Sequence, residues 1–363
     1  MHNLQLNKVI MKRVLLLSLS FIVLAGCSKD SIAITDDPVD TSYMDNDDPE
    51  EQLGDNDDIS LVSFTRTIAI NWAGSSATVS GDEKGTVSIN GGNVTVNNAD
   101  TLEVVRYELS GTCTDGSFKL YSVRKQALVL QDLSLANKSG SAINNQSKKR
   151  TFVLLEGSSS LADGSVGSGG DYLDQVSTED DKAAFFSEGQ LVFSGSGSLS
   201  VTATGKAGIT SDDYLRFMGS QTVTVSSTAG HALRGKDAVQ VDDGTIIAST
   251  SAAGKKGITS DGPVNINGGS LTLSVSGGTT SEKVITNGVT TTEYSGASGI
   301  KADGTFTMND GSLTVTSSGQ GGKGISGDGK AFFNGGSVKV TVPGSNLSSG
   351  GSTKSNDIQA AWG

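Results

Sequence analysis

Gly208-Ile209-Thr210-Ser211-Asp212-Asp213-Tyr214-Leu215-Arg216-Phe217 returns further along the chain as Gly257-Ile258-Thr259-Ser260-Asp261-Gly262-Pro263-Val264-Asn265-Ile266. The same step, a small residue followed by a large apolar one, stands at Ala184-Phe185, Ala232-Leu233, Gly299-Ile300 and Gly324-Ile325. Successive steps are 24, 24, 25, 42 and 25 residues apart. Six positions beyond each large residue come Leu191, Leu215, Val239, Val264, Phe306 and Ala331. Eight beyond come Phe193, Phe217, Val241, Ile266, Met308 and Phe333. A glycine-bearing turn follows, then an alternating pair: Leu199/Val201, Val223/Val225, Ile246/Ala248, Leu271/Leu273, Leu313/Val315 and Val338/Val340. Alternation of this kind marks strands with one face buried. Three short strands per repeat make one coil, and one coil cannot bury its inner face alone. Stacking turns the shared columns into apolar ladders. A two-sheet sandwich has no need of equal columns at a fixed period. The reading is all-β: a single-stranded right-handed parallel β-helix of coils of about 25 residues, handed as parallel crossovers are.

Outward from this stretch the pattern loosens. Val105 to Leu109, Ala127 to Leu130 and Phe152 to Leu155 read as earlier coils, and Asp163 to Asp181 as an excursion before the regular ones. The long repeat carries 17 extra residues, approximately Gly277 to Ala297, and insertions in a solenoid project as loops from one side.

The first residues are read as targeting. Lys12-Arg13 precede an apolar run, Val14 to Leu24, that ends in Leu24-Ala25-Gly26-Cys27. That is a secretory signal closing on a lipobox, too short to span a bilayer. The expected organisation is a signal peptide over 1–26, then a lipidated N-terminus and acidic disordered tether over 27–58. A β-helix body over 59–345 and a tail over 346–363 complete it. Cys27 is the lipidation site, and lipid is the only expected link to the membrane. Residues 36–58 hold eleven acidic residues and no basic one, leaving the body close to neutral at −4. A like-charged block of this kind self-repels and stays extended. Lys29-Asp30 resembles the export signal of lipoproteins displayed outside the outer membrane, so the expected location is the outer membrane, surface-exposed.

With Cys27 acylated, Cys113 has no partner, and His231 is the one histidine of the mature chain. Disulfide frameworks, thiolate metal sites and His-ligated metals are thereby excluded, and a metal would be hard and oxygen-bound, which points to calcium. Two sets of carboxylates could hold it. One is the excursion: Asp163, Asp171, Asp174, Asp180 and Asp181. The other is the ladder around Asp212, Asp213, Asp237 and Asp261. The ladder belongs to a column, three residues past each step, of Glu188, Asp212, Lys236, Asp261, Asp303 and Asp328. Stacking sets such a column at intervals of about 4.8 Å. Ordinary turn chemistry explains Asp261-Gly262, Asp303-Gly304 and Asp328-Gly329 equally. Lys182, Arg234, Lys236, Lys256 and Lys301, with Lys255 and Lys323 nearby, could pair with uronate carboxylates or simply solubilise the surface. Tyr172 and Tyr214, with Trp72 and Tyr294, are the candidate platforms for a sugar ring. Gly322-Lys323-Gly324-Ile325-Ser326-Gly327 matches a dinucleotide fingerprint, but a strand follows where a helix is required, so neither nucleotide nor nucleic acid is an expected partner.

The ordered run of Phe152 to Gly157, Lys182 to Phe193, Lys206 to Asp213 and Gly235 to Val241 resembles polysaccharide-lyase-like β-helix proteins, a carbohydrate-binding family of cellulose and acid-sugar binders that carry calcium. The resemblance spans most of residues 105–340 and implies polysaccharide as partner and calcium as cofactor. Relatives often place Asp directly before the Gly-Ile step; here Ala207, His231, Lys256, Ser298 and Lys323 stand there. The column thus lacks the carboxylates a cation would need. The expected function is non-catalytic polysaccharide binding at the cell surface, with no catalytic residue assigned. A calcium-dependent polysaccharide lyase and an adhesin or structural surface protein are the alternatives.

Overall fold

A computed structural model describes residues 54–286, 289–347 and 356–359. The expected signal peptide, Cys27 and the tether as far as Leu53 lie outside the described residues, as do 348–355 and 360–363 of the tail.

The chain winds as a parallel β-helix with three faces. In the regular coils the first face carries Ala183–Ser187, Ala207–Ser211, Leu233–Gly235, Lys256–Ser260, Ser298–Ala302 and Lys323–Gly327, paired in parallel. The second carries Leu191–Gly195, Tyr214–Phe217, Ala238–Val241, Val264–Ile266, Phe306–Met308 and Ala331–Phe333. The third carries Ser198–Ala203, Thr222–Ser227, Thr245–Thr250, Ser270–Val275, Ser312–Ser317 and Ser337–Thr341. The register joins the columns read from the sequence: Phe185, Ile209, Leu233, Ile258, Ile300 and Ile325 are successive partners, all buried. Phe193 and Phe217 stack in the core with centroids 5.0 Å apart, and Phe185 meets Phe193 edge-on at 5.9 Å.

The small residue of each step has a steric reason. A Cβ on Gly208 would lie 2.2 Å from Val225 Cγ1, and one on Gly299 would lie 2.2 Å from Val315 Cγ1. The corner between third and first faces therefore closes over the inward Val of the third strand only when the corner residue is small.

The earlier coils differ because two strands, Val105–Cys113 and Gln126–Ala136, run unbroken across the second and third faces. They turn the corner through a bulge at Ser110/Gly111, opposite which Asp132 takes a φ of 50°. Two antiparallel hairpins, Arg66–Ala73 with Ser76–Ser80 and Val87–Asn90 with Asn93–Asn98, close the N-terminal end. At the other end Phe332, Phe333 and Val338 are partly exposed. The excursion lies where expected, between Ala162 and Ala183, and the 17-residue insertion is an antiparallel hairpin, Thr280–Thr286 with Val289–Ser295.

The body boundary expected at residue 59 is corrected by the structure. Gly54 to Leu61 form two short 3-10 turns. Ile59, Val62 and Phe64 pack on an outward apolar stripe of Ala127, Phe152, Val192, Tyr214 and Ala238. Asp57, assigned to the disordered tether, is fully buried. Its carboxylate pairs with Arg150 Nε at 2.8 Å and Arg216 NH1 at 2.7 Å, and accepts from the Tyr214 hydroxyl at 2.5 Å. Two guanidiniums offset the desolvation of one carboxylate, so this acidic residue leaves water while its neighbours in sequence need not.

Phe217→Ala should cost about 3–5 kcal/mol, since it empties a stacked core position. Ile247→Ala, on the outward side of the third face and 43% exposed, should stay within about 0.5 kcal/mol. Guanidinium unfolding midpoints of the two variants check this. Equal shifts would mean that the Phe column does not carry the core.

Candidate functional site

The first face carries charged groups both in its strands, as with Arg234, Lys256, Lys301 and Lys323, and in the turns that follow them, as with Glu188, Asp212 and Asp261. An acidic end comes first. The carboxylates of Asp180, Glu188 and Asp212 lie with one ligand atom each within 4.8 Å of one another, the one such cluster among the described residues. Glu188 and Asp212 meet because Ser187 and Ser211 are register partners; Asp180 comes from the end of the excursion. Burial and the charges of Asp212 and Asp180 push the Glu188 carboxyl up. A divalent ion would suit such a set. Lys182 already stands in it, with its Nζ 2.6 Å from Asp180 and 2.5 Å from Asp212. An ammonium and a metal would compete for the same oxygens, and three carboxylates supply only part of the six to eight oxygens calcium takes.

Most of the remaining residues of the expected cation sites are engaged with other partners. Asp163 is an anchor: its carboxylate accepts from the backbone of Thr204 (2.6 Å), Gly205 (3.0 Å) and Lys206 (3.1 Å) and from the Tyr172 hydroxyl (2.6 Å). Asp174 accepts from Asn137 and Asp171 from Lys206. Asp181 is buried against Ser141 and Asn144, and burial raises its carboxyl to about 6. Asp213 is buried and accepts from Gln190 at 2.7 Å, Asp237 is exposed, and Asp261 pairs with Arg234 at 2.9 Å. Of both sets, Asp180 and Asp212 are the members of that three-carboxylate cluster. Glu188, which completes the cluster, belonged to the column of turn residues; the column itself was its signal.

Two aromatic expectations are corrected. Tyr172 and Tyr214 are 3% and 2% exposed, their hydroxyls committed to Asp163 and Asp57, so neither ring can receive a sugar. Trp72 is equally buried, its Nε1 donating to Gly92 O at 2.8 Å. Tyr294, on the inserted hairpin, is half-buried.

Further along the same face the sign of the charge reverses. His231, Lys256, Ser298 and Lys323 follow one another in register at the start of the strands. Lys255 flanks them, and Arg234 and Lys301 stand three residues on. Arg234 pairs with Asp261, Lys301 with Asp303, and Lys236 is half-buried in the column between Asp212 and Asp261. Lys255, Lys256 and Lys323 pair with no carboxylate among the described residues. Burial, then the charges of Lys301, Lys255 and Lys323, bring the Lys256 ammonium down to about 8. Burial and Lys301 pull Lys323 down as well. Burial, Lys255, Lys256 and Arg234 pull His231 to about 3, so it is neutral. Its Nδ1 accepts from the Lys256 backbone N–H at 3.1 Å, which leaves the proton on Nε2. Lys256 donates to Gly254 O and, at 2.9 Å, to Ser295 Oγ of the hairpin. Between strand face and hairpin lies a cleft of about 330 Å³, lined by His231, Lys255, Lys256, Glu282, Glu293 and Tyr294 among others, within the range of small-ligand pockets.

A family model described as carbohydrate-binding domain-containing protein matches residues 90–345. Among solved structures, the chain is similar to the polysaccharide lyase-like protein from C. thermocellum, determined as a gadolinium derivative. The two are 17% identical, the likeness covers 80% of this chain and 99% of that one, and the TM-score is 0.46. No curated protein matches.

Replacing Lys182 by Met should free the three carboxylates at the acidic end. Like charges this close repel, so the variant should unfold at a lower temperature than the parent in chelator. Millimolar calcium should raise its unfolding temperature by more than it raises the parent's, by mass action. A variant as indifferent to the ion as the parent would show that the cluster does not take a metal even when vacated by the ammonium.

Proposed function

Because the chain belongs to the carbohydrate-binding domain-containing protein family, we propose that it binds an acidic polysaccharide along the basic stretch of the first face without cleaving it. The observation that carries this reading is the cation cluster around Lys256. Burial first, and then the charges of Lys301, Lys255 and Lys323, weaken the charged form of Lys256, and three of these four lysines lack a carboxylate partner among the described residues. An arrangement that is unfavourable in the free protein becomes favourable when a polyanion lies across it. Stacked coils repeat such groups along the helix axis, which suits an extended chain better than a single small molecule.

Binding is favoured over cleavage because Arg234 and Lys301 are held in ion pairs with Asp261 and Asp303. One observation favours a second reading, a lyase: Lys256 loses its proton near pH 8 and so could act as a base in eliminating a uronide. Absorbance of unsaturated uronides on incubation with polygalacturonate distinguishes the two, and a steady rise abolished by Lys256→Met would establish the enzyme. Calcium is the ion that the hard oxygen donors of Asp180, Glu188 and Asp212 would suit, in competition with the Lys182 ammonium that stands among them. The protein is proposed to be carried on lipid at Cys27 and displayed at the outer membrane. Labelled palmitate should enter the wild-type chain and not Cys27→Ser.

Binding should follow the charge of Lys256. The lysine is cationic below about 8 and neutral above, so affinity for polygalacturonate in a titration should fall as pH rises from 7 to 9. Lys256→Met should bind more weakly at pH 7 and lack that step. An affinity independent of both pH and Lys256 would remove the basic cluster from the binding site.

A further inference from the structure

The hairpin Thr280–Thr286/Val289–Ser295 interrupts the solenoid for a chemical reason that the regular coils do not supply. Its base is fixed to both neighbouring coils. Gly254 N–H donates to Gly278 O at 2.8 Å, and Thr279 N–H donates to Gln320 O at 2.9 Å. Gly254 has a φ of +72°, and a Cβ there would lie 2.5 Å from Thr280 Cγ2, so only glycine lets the hairpin root come this close. The hairpin therefore stands as a held wall over the basic strands, and the cleft of about 330 Å³ lies between them.

The two sides of this cleft have opposite chemistry. The strand side presents Lys255, Lys256 and the neutral His231. The hairpin side presents Glu282 and Glu293, which are direct cross-strand partners on the same face as Ser295. Two carboxylates facing each other across a hairpin repel and cost stability. They also work against a ligand that is negative all over, so a generic polyanion site would not carry them. A ligand matched to both sides has a carboxylate on one edge and hydroxyl donors on the other. A uronate residue has this form: an acid on C5, and vicinal hydroxyls on C2 and C3 across the ring.

We propose that the hairpin makes this cleft a uronate subsite, selecting unesterified uronate residues whose C2 and C3 hydroxyls are free. The sugar carboxylate meets Lys255, Lys256 and the His231 Nε2–H. Glu282 and Glu293 accept hydrogen bonds from the hydroxyls. Acetyl or sulfate groups on those hydroxyls remove the donors and, for sulfate, set like charges together. Ser295 positions Lys256 by accepting from its ammonium, and Gly254 positions the hairpin. The proposal rests on the reading that the basic stretch binds acidic glycan, and it adds what distinguishes one acidic glycan from another.

The test compares polygalacturonate with the same polymer acetylated on O2 and O3, and with dextran sulfate, by calorimetric titration of the full mature chain at physiological salt. The wild-type protein should bind the free-hydroxyl polymer about tenfold or more tighter than the acetylated one, as the loss of charge-assisted hydrogen bonds implies. It should also prefer the free polymer to dextran sulfate, although the sulfate carries more charge. In Glu282→Gln/Glu293→Gln the preference should collapse, because affinity for the free polymer falls. Gly254→Ala, which touches no ligand, should weaken the preference by displacing the hairpin. Circular dichroism of each variant, unchanged in shape, shows that the coils remain. Wild-type protein that binds all three polymers without preference overturns this proposal and leaves acidic-glycan binding standing, as do variants that keep the full preference. Wild-type protein that binds none of them overturns both.

Discussion

Parallel stacking in strict register is the constraint on which the rest of the molecule depends. A three-stranded coil has too little inner surface to exclude water alone, so each coil is stable only against its neighbours. Register then makes every position repeat, at about 4.8 Å, whatever side chain the position holds. On the inside the repetition is favourable: Phe193 lies on Phe217, and Ile258 is followed by Ile300 and Ile325. At the turns it can be favourable too. Asn267 donates to Asp242, Asn309 to Asn267 and Asn334 to Asn309, at 2.7, 2.8 and 2.7 Å, each amide satisfying the one before it.

For charges the same repetition is a hazard, and the first face shows two answers to it. At the acidic end, Lys182 stands between carboxylates from different coils. In the column three residues past the steps, Lys236 separates Asp212 from Asp261, while Arg234 and Lys301 pair with the aspartates beside them. Around Lys256 no such compensation is built. The cations there are held together by the packing of the strands that carry them, and the partners of the Lys256 ammonium are a backbone oxygen and a hydroxyl. A set of cations left unbalanced in this way is a place at which an anionic ligand changes the energy most.

Asp57 shows the opposite use of charge. It ties the turn at the start of the described chain to Arg150 and Arg216, and Arg216 in turn reaches Asp242, the first member of the asparagine ladder. The strap thereby covers an apolar stripe that would otherwise face water, Phe152 and Val192 among it, and one hydrogen-bonded chain runs from the strap to the last coils.

The solenoid was legible in the sequence because its columns recur at a fixed offset, and apolar periodicity reports the inside of a coil whatever its neighbours are. The offset steps, the excursion, the insertion and the inward column from Phe185 to Ile325 all follow from local order. The column of Glu188 and Asp212 followed too, since register alone brings it together. What lay beyond the sequence were contacts between positions far apart along the chain. Asp57 reads as one more member of an acidic run until two arginines, 93 and 159 residues away, enclose it. Tyr172 and Tyr214 read as platforms until their hydroxyls find Asp163 and Asp57. Lys256 and Lys301 read alike, yet one is buried beneath the hairpin and the other is paired with Asp303. Periodicity determined which residues share a face; only the tertiary structure decided which charges are spent on one another and which are left for a ligand, because that balance depends on distances the chain acquires only when the coils stack.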